Sequence, residues 1–176
     1  MDKRKIRVIT SVFAAVLFAF TIVGKIITNA HLNNTREQAQ NYSADLKTLS
    51  SLIKEANALS SSNRVEYIKN SERSAKLAIE DIRNVLDYFE KLRVPGKLSA
   101  EYRDIKAAIE RERGFMNAIE QMFEARSDKE FRAAALAAAN TNSDADDGFT
   151  MSLSRFIKKM ENCVDTRRER RKFLWL

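Results

Sequence analysis

The sequence predicts an all-α protein, with an N-terminal transmembrane helix followed by an up-and-down antiparallel four-helix bundle. Three observations carry that expectation. Val8 to Gly24 contains no charged residue and is rich in Val, Ile, Phe and Ala. The chain holds only four Gly and one Pro in 176 residues, so helix breakers are scarce. Beyond the first 38 residues, apolar side chains recur in steps of three and four, the spacing of one helix face.

The N-terminal run comes first. Lys3, Arg4, Lys5 and Arg7 form a basic flank over residues 1–7. Residues 8–27 then make a segment close to the ~20 needed to cross about 30 Å of hydrocarbon. Lys25 is its single charge, near the end, where a long stem carries an ammonium to the headgroups. A cleaved leader is the competing reading, with Thr28-Asn29-Ala30 as a passable cut site. Its apolar stretch would be shorter, however, and its cleavage region neutral. A retained signal anchor is therefore expected, with the N-terminus cytoplasmic and the rest extracytoplasmic at an inner (plasma) membrane.

The bundle is expected over 30–165. Ala39, Tyr42, Leu46, Leu49, Ile53 and Ala56 mark a heptad seam on the first helix, over about 30–60. Ser60 to Asn63 interrupts it and offers N-caps. Val65, Ile68, Ala75, Ile79, Ile82, Leu86 and Phe89 form the second stripe, ending before the turn at Val94-Pro95-Gly96. Ser99 is the expected cap of the third helix, whose stripe is Tyr102, Ile105, Ile109, Met116, Ile119 and Phe123. Ser127 to Glu130 matches a capping box and starts the fourth. Phe131 to Ala139 is Ala-rich and suited to close packing. Asn140 to Gly148 is polar and should interrupt or kink this helix before Phe149, Leu153, Phe156, Ile157, Met160 and Val164 resume the face. Short connections favour antiparallel neighbours, so four passes return the C-terminus towards the bilayer.

Charge divides the chain the same way. The formal net charge is +7, with 31 basic and 24 acidic residues. Residues 1–7 hold +3 and Arg167–Lys172 hold +4, leaving 22 basic and 22 acidic residues in 8–166. A neutral folded middle argues against a nucleic-acid-binding face. Two basic ends suit anionic lipid, which attracts juxtamembrane Lys and Arg by about 1 kcal/mol each. In the tail, 166–176, Arg167, Arg168, Arg170, Arg171 and Lys172 precede an apolar tip bearing Trp175, an interfacial pattern.

Residues able to carry chemistry are few. His31 is the single His and Cys163 the single Cys. The first is expected in an exposed linker and the second as a small packed hydrophobe. Asp144 to Gly148 fails the spacing of a calcium loop. No cofactor or metal is expected. Glu72 and Glu112 stand out because each occupies a stripe position. They are candidates for a polar core site that binds a small ligand or sets register, or for edge carboxylates paired with Arg73 and Arg113. The expected role is a membrane-anchored scaffold or accessory subunit acting through a protein partner or a second copy. The alternative is a ligand-sensing module that signals through a partner, and the sparse inventory of reactive residues disfavours an enzyme.

Overall fold

A computed structural model describes the backbone of residues 3–143 and 148–173, and the side chains of 29–141 and 148–163. The described backbone is helical: α1 (Lys3–Ala58), α2 (Ser61–Glu90), α3 (Ser99–Glu124), α4 (Asp128–Ser143) and α5 (Phe149–Phe173), with a 3-10 turn at Gly96–Leu98. No strand occurs among these residues, as the scarcity of Gly, Pro and β-alternation predicts.

Contacts fix the path. Thr35 lies against Tyr88, while Arg64 reaches back to Ala56, so α1 and α2 are antiparallel. Arg113 pairs with Asp87, and Lys76 with Glu124, so α2 and α3 are antiparallel as well. Lys159 bonds Glu101, and Arg36 holds Glu161 at 2.6 Å, placing α5 antiparallel to both α3 and α1. The chain therefore runs up, down, up and down.

The fourth pass differs from a single helix. It is split between α4 and α5, which serve different halves of the bundle. Among the described residues α4 packs on α3 and touches α2 without meeting α1, and α5 packs between α1 and α3. The Ala stripe explains the first half, because Ala134 and Ala138 are buried and let α4 approach α3 closely. Gly114 lies there too: a Cβ on it would sit 3.4 Å from Thr141 Cγ2. Phe149, Leu153, Phe156 and Met160 fill the other half. Between the two stripes Asn140 to Ser143 supplies nothing apolar to bury. Residues 144–147 lie outside the described set.

Burial of large side chains holds the bundle together, each worth roughly 1.5–3 kcal/mol. Leu49, Ile68, Ile82, Leu86, Phe89, Ile105, Ile109, Met116, Phe123, Phe131 and Phe156 are all fully buried. At its centre the Phe149 ring meets Tyr42 edge-on at 4.9 Å and Phe89 at 5.9 Å. The α2–α3 turn is closed by Tyr102, whose hydroxyl donates to the backbone oxygens of Phe89 (3.0 Å) and Glu90 (2.6 Å).

Local starts follow the sequence in part. The Ser127 hydroxyl accepts from the Glu130 amide at 3.3 Å, and the Glu130 carboxylate accepts from the Arg126 amide at 2.8 Å. That is the expected reciprocal cap, moved one residue back at one bond. Ser99 is not a cap. The 3-10 turn runs directly into α3, so Ser99 is its first helical residue. His31 lies in no linker either: α1 continues through it, and its carbonyl accepts the Thr35 hydroxyl at 2.8 Å.

Among the described residues no helix is long and apolar enough to cross a membrane. The anchor expectation rests on residues 8–27, whose side chains lie outside the described set. So do the side chains of the basic flank Lys3, Arg4, Lys5 and Arg7, and those of Val164 and the tail cations Arg167, Arg168, Arg170, Arg171 and Lys172. Trp175 lies outside it altogether.

Candidate functional site

Polar side chains gather at three levels of the bundle. The middle level contains Glu112, one of the two carboxylates singled out by the stripe. It follows Ile109 and precedes Met116 on the buried face of α3, so its carboxyl is carried inward. The Tyr42 hydroxyl donates to its Oε1 at 2.7 Å across the bundle. Burial raises the Glu112 carboxyl above its ordinary range, and the Tyr42 hydrogen bond opposes that rise. Burial likewise raises the Tyr42 hydroxyl, helped by the Glu112 charge and hydrogen bond and opposed by one from Thr150. Arg113, the neighbour expected to pair with Glu112, points elsewhere. It holds Asp87 at 2.7 Å and Glu90 at 2.6 Å on α2.

Glu72 is separate from Glu112 and differently placed. It pairs with Lys76 at 3.1 Å and Arg126 at 3.2 Å, and Lys76 also holds Glu124 at 3.0 Å. The partners of Glu72 are Lys76 and Arg126 rather than Arg73, which is exposed. The Lys76 hydrogen bond chiefly holds the Glu72 carboxyl below its usual range. This network clips α2 to the end of α3 at the surface. The structure therefore does not bring Glu72 and Glu112 together.

At the far end of the bundle, where α1 gives way to α2, Arg64 is only 7 % exposed. Its Nε donates to the Ala56 carbonyl at 2.8 Å and a terminal nitrogen to the Leu59 carbonyl at 2.7 Å. The Ala56 carbonyl, which also accepts the Leu59 amide at 3.3 Å, lies in the last turn of α1, where cations are favoured. The other terminal nitrogen bonds Asp128 at the start of α4, and the guanidinium lies 5.4 Å from the Phe131 ring centroid. Asp128 is held below its usual range first by Arg132 and then by Arg64. One side chain thus ties three helix ends together. The sequence carried a signal for it, because Arg64 continues the stripe one step ahead of Ile68. An apolar stripe beginning at Val65 conceals it.

At the opposite end, His31, Asn84, Asp87, Tyr88, Lys91, Leu92 and Arg93 line a cleft of about 560 Å³ between α1 and the end of α2. Along the same pair of helices, Asp45 and Asp81 face one another in a shallow groove with Asn41 and Asn84. Burial, and then the Asp81 charge, raise the Asp45 carboxyl. Among the described residues no group of three or more His, Cys, Asp or Glu side chains is placed to hold a metal. Cys163 is free and half-buried against the core.

The fold and these levels define a helical bundle with an ionic tie at one end, a polar pair in the middle and a cleft at the other end. No family model, curated protein or solved structure matches the chain.

Proposed function

We propose that this chain is a single-pass membrane protein whose helical bundle serves as a scaffold or accessory subunit. The observation that carries the reading is the continuity of α1. One helix of 56 residues runs from Lys3 through the uncharged run and on into the first seam of the bundle. A continuous helix transmits position and orientation from a bilayer to the domain above it, which a flexible linker does not. Residues 8–27 act as the anchor, with the basic flank Lys3, Arg4, Lys5 and Arg7 on the cytoplasmic side. The bundle stands outside the cytoplasm. The antiparallel path brings α5 back towards the start of the bundle, so Arg167, Arg168, Arg170, Arg171, Lys172 and Trp175 meet anionic lipid. The Tyr42–Glu112 bond acts as a register device inside the core, and the outer helix faces receive a protein partner or a second copy.

Cysteine accessibility in sealed membrane vesicles tests the topology. Asn63→Cys, exposed in the first turn of α2, in a Cys163→Ser background should label only from the extracytoplasmic side. Labelling only from the cytoplasmic side reverses the topology. Crosslinking in native membranes followed by mass spectrometry tests the scaffold role, for which one recurrent partner or a self-crosslink is expected. A chain found only uncrosslinked, with turnover of a small molecule instead, overturns it.

A further inference from the structure

We propose that the cleft at the base of the bundle binds the phosphate of a phosphate ester, with an anionic phospholipid headgroup as the favoured source. The proposal rests on the membrane-anchored reading for its lipid source and on the geometry of the cleft for its chemistry.

Three basic residue types border the cleft: His31 from α1, Lys91 at the C-cap of α2 and Arg93 from the turn that follows. Arg93 is exposed and has no acidic partner among the described residues. Lys91 is mostly exposed and makes only a long 3.4 Å pair with Asp87. Asp87, the one acid in the wall, is already held at 2.7 Å by Arg113 from α3. The acid that would repel an anion is therefore largely compensated from behind, and two cations face the opening. The His31 Nε2 is buried and lacks a hydrogen-bond partner among the described groups. An orphaned buried polar atom carries an uncompensated desolvation cost, which a hydrogen bond to a ligand oxygen would offset. Guanidinium and ammonium together match phosphate oxygens, the first by its planar fork and the second as a point charge.

Position selects the source. His31 follows Ile27 by four residues of continuous helix, a rise of about 6 Å. The polar layer on each side of a bilayer is about 5–7 Å deep. With residues 8–27 in the hydrocarbon, the cleft therefore opens at headgroup level. Buried Leu92 forms part of its wall, giving an apolar surface beside the cations.

The single His makes the test local, because its imidazole resonances need no assignment. The full chain is placed in phosphatidylcholine nanodiscs, and His31 is followed by NMR as phosphatidylglycerol is introduced or inorganic phosphate is added. A saturable shift with phosphatidylglycerol alone establishes a headgroup site. The same shift with inorganic phosphate establishes an anion site supplied from solution. Lys91→Gln with Arg93→Gln should weaken either response roughly fivefold or more, since both charge-assisted contacts are lost. Lys47→Gln with Lys54→Gln, exposed on α1 outside the cleft, should leave it unchanged. Unshifted core methyl resonances would show that these variants remain folded. A His31 signal indifferent to both anions, or equal responses in the parent and the double variant, overturns the proposal. Resistance of the chain to carbonate extraction is read separately. An inserted chain with an indifferent His31 removes the site and leaves the anchor. A chain that does not insert but binds phosphate does the reverse.

Discussion

Replacing Arg64 by Ala removes the group that ties the end of α1 to the starts of α2 and α4. The perturbation is sharp because the side chain is 7 % exposed and serves two backbone carbonyls, at 2.8 and 2.7 Å. A hydrogen bond from a charged donor contributes about 1.5–3 kcal/mol. Water admitted by the truncation can reach the Leu59 carbonyl, since Leu59 is half-buried, whereas Ala56 is fully covered. One bond is thus lost nearly in full and the other in part. Adding the guanidinium contact with Phe131, the expected loss is about 3–4 kcal/mol. At about 2–4 °C per kcal/mol for a chain of this size, Tm should fall by roughly 6–16 °C. The assay is thermal unfolding of the full chain in mild detergent, followed by far-ultraviolet circular dichroism. Arg64→Lys should recover about half the loss, because an ammonium keeps the charge but cannot span both carbonyls and Asp128. A change within about 0.5 kcal/mol for Arg64→Ala, the range of ordinary surface substitutions, would refute the reasoning.

The other predictions use the same assay. Leu86→Ala and Ile109→Ala, at 0 % and 1 % exposure, should each cost about 2–5 kcal/mol; Lys106→Ala, exposed, should cost under about 1 kcal/mol even with its contact to the Tyr102 ring. Equal tolerance at all three would remove the packing assigned to α2 and α3. Gly114→Ala should stabilise by about 0.5–1 kcal/mol, since α3 gains a better helix former, and the new Cβ meets Thr141 Cγ2 at an ordinary 3.4 Å. A lowered Tm would show that α4 lies closer to α3 than described. Glu112 has a raised carboxyl, so the folded state keeps the proton longer than the unfolded one. Its contribution should therefore decline as pH rises from the ordinary 4.5 to the raised folded value, then stay level. Glu112→Gln should remove that decline, read as the difference between the parent and variant Tm across pH; a difference independent of pH refutes it. Glu72, Glu101 and Asp128, held low by Lys76, Lys159 and Arg132, act oppositely. Their contributions are complete above their ordinary values and disappear as pH falls through the lowered ones.

What the sequence determined by itself is the helical class, the order of the passes and most of the core. Steps of three and four specify which face of a helix is apolar, and an apolar face must be covered whatever covers it. Val94-Pro95-Gly96 likewise stops a helix locally, because proline lacks an amide hydrogen and restricts the residue before it. The interruption after Asn140 was legible for the same kind of reason, as a polar run with nothing to bury. What only the tertiary structure decided is which residues meet across helices. Glu112 was visible as a carboxylate on an apolar stripe, yet its partner Tyr42 lies 70 residues away on α1, whereas the adjacent Arg113 turns to α2. Arg64 occupied a stripe position as plainly as Ile68. Its role depends on three helix ends meeting at one point, and no local pattern encodes that. The division of the fourth pass between α3–α4 and α1–α5 contacts is of the same kind. It is set by how closely small Ala and Gly side chains let two helices approach and by where large Phe side chains hold the others apart. Periodicity specifies a face, but partner choice depends on the shapes and charges of several faces at once.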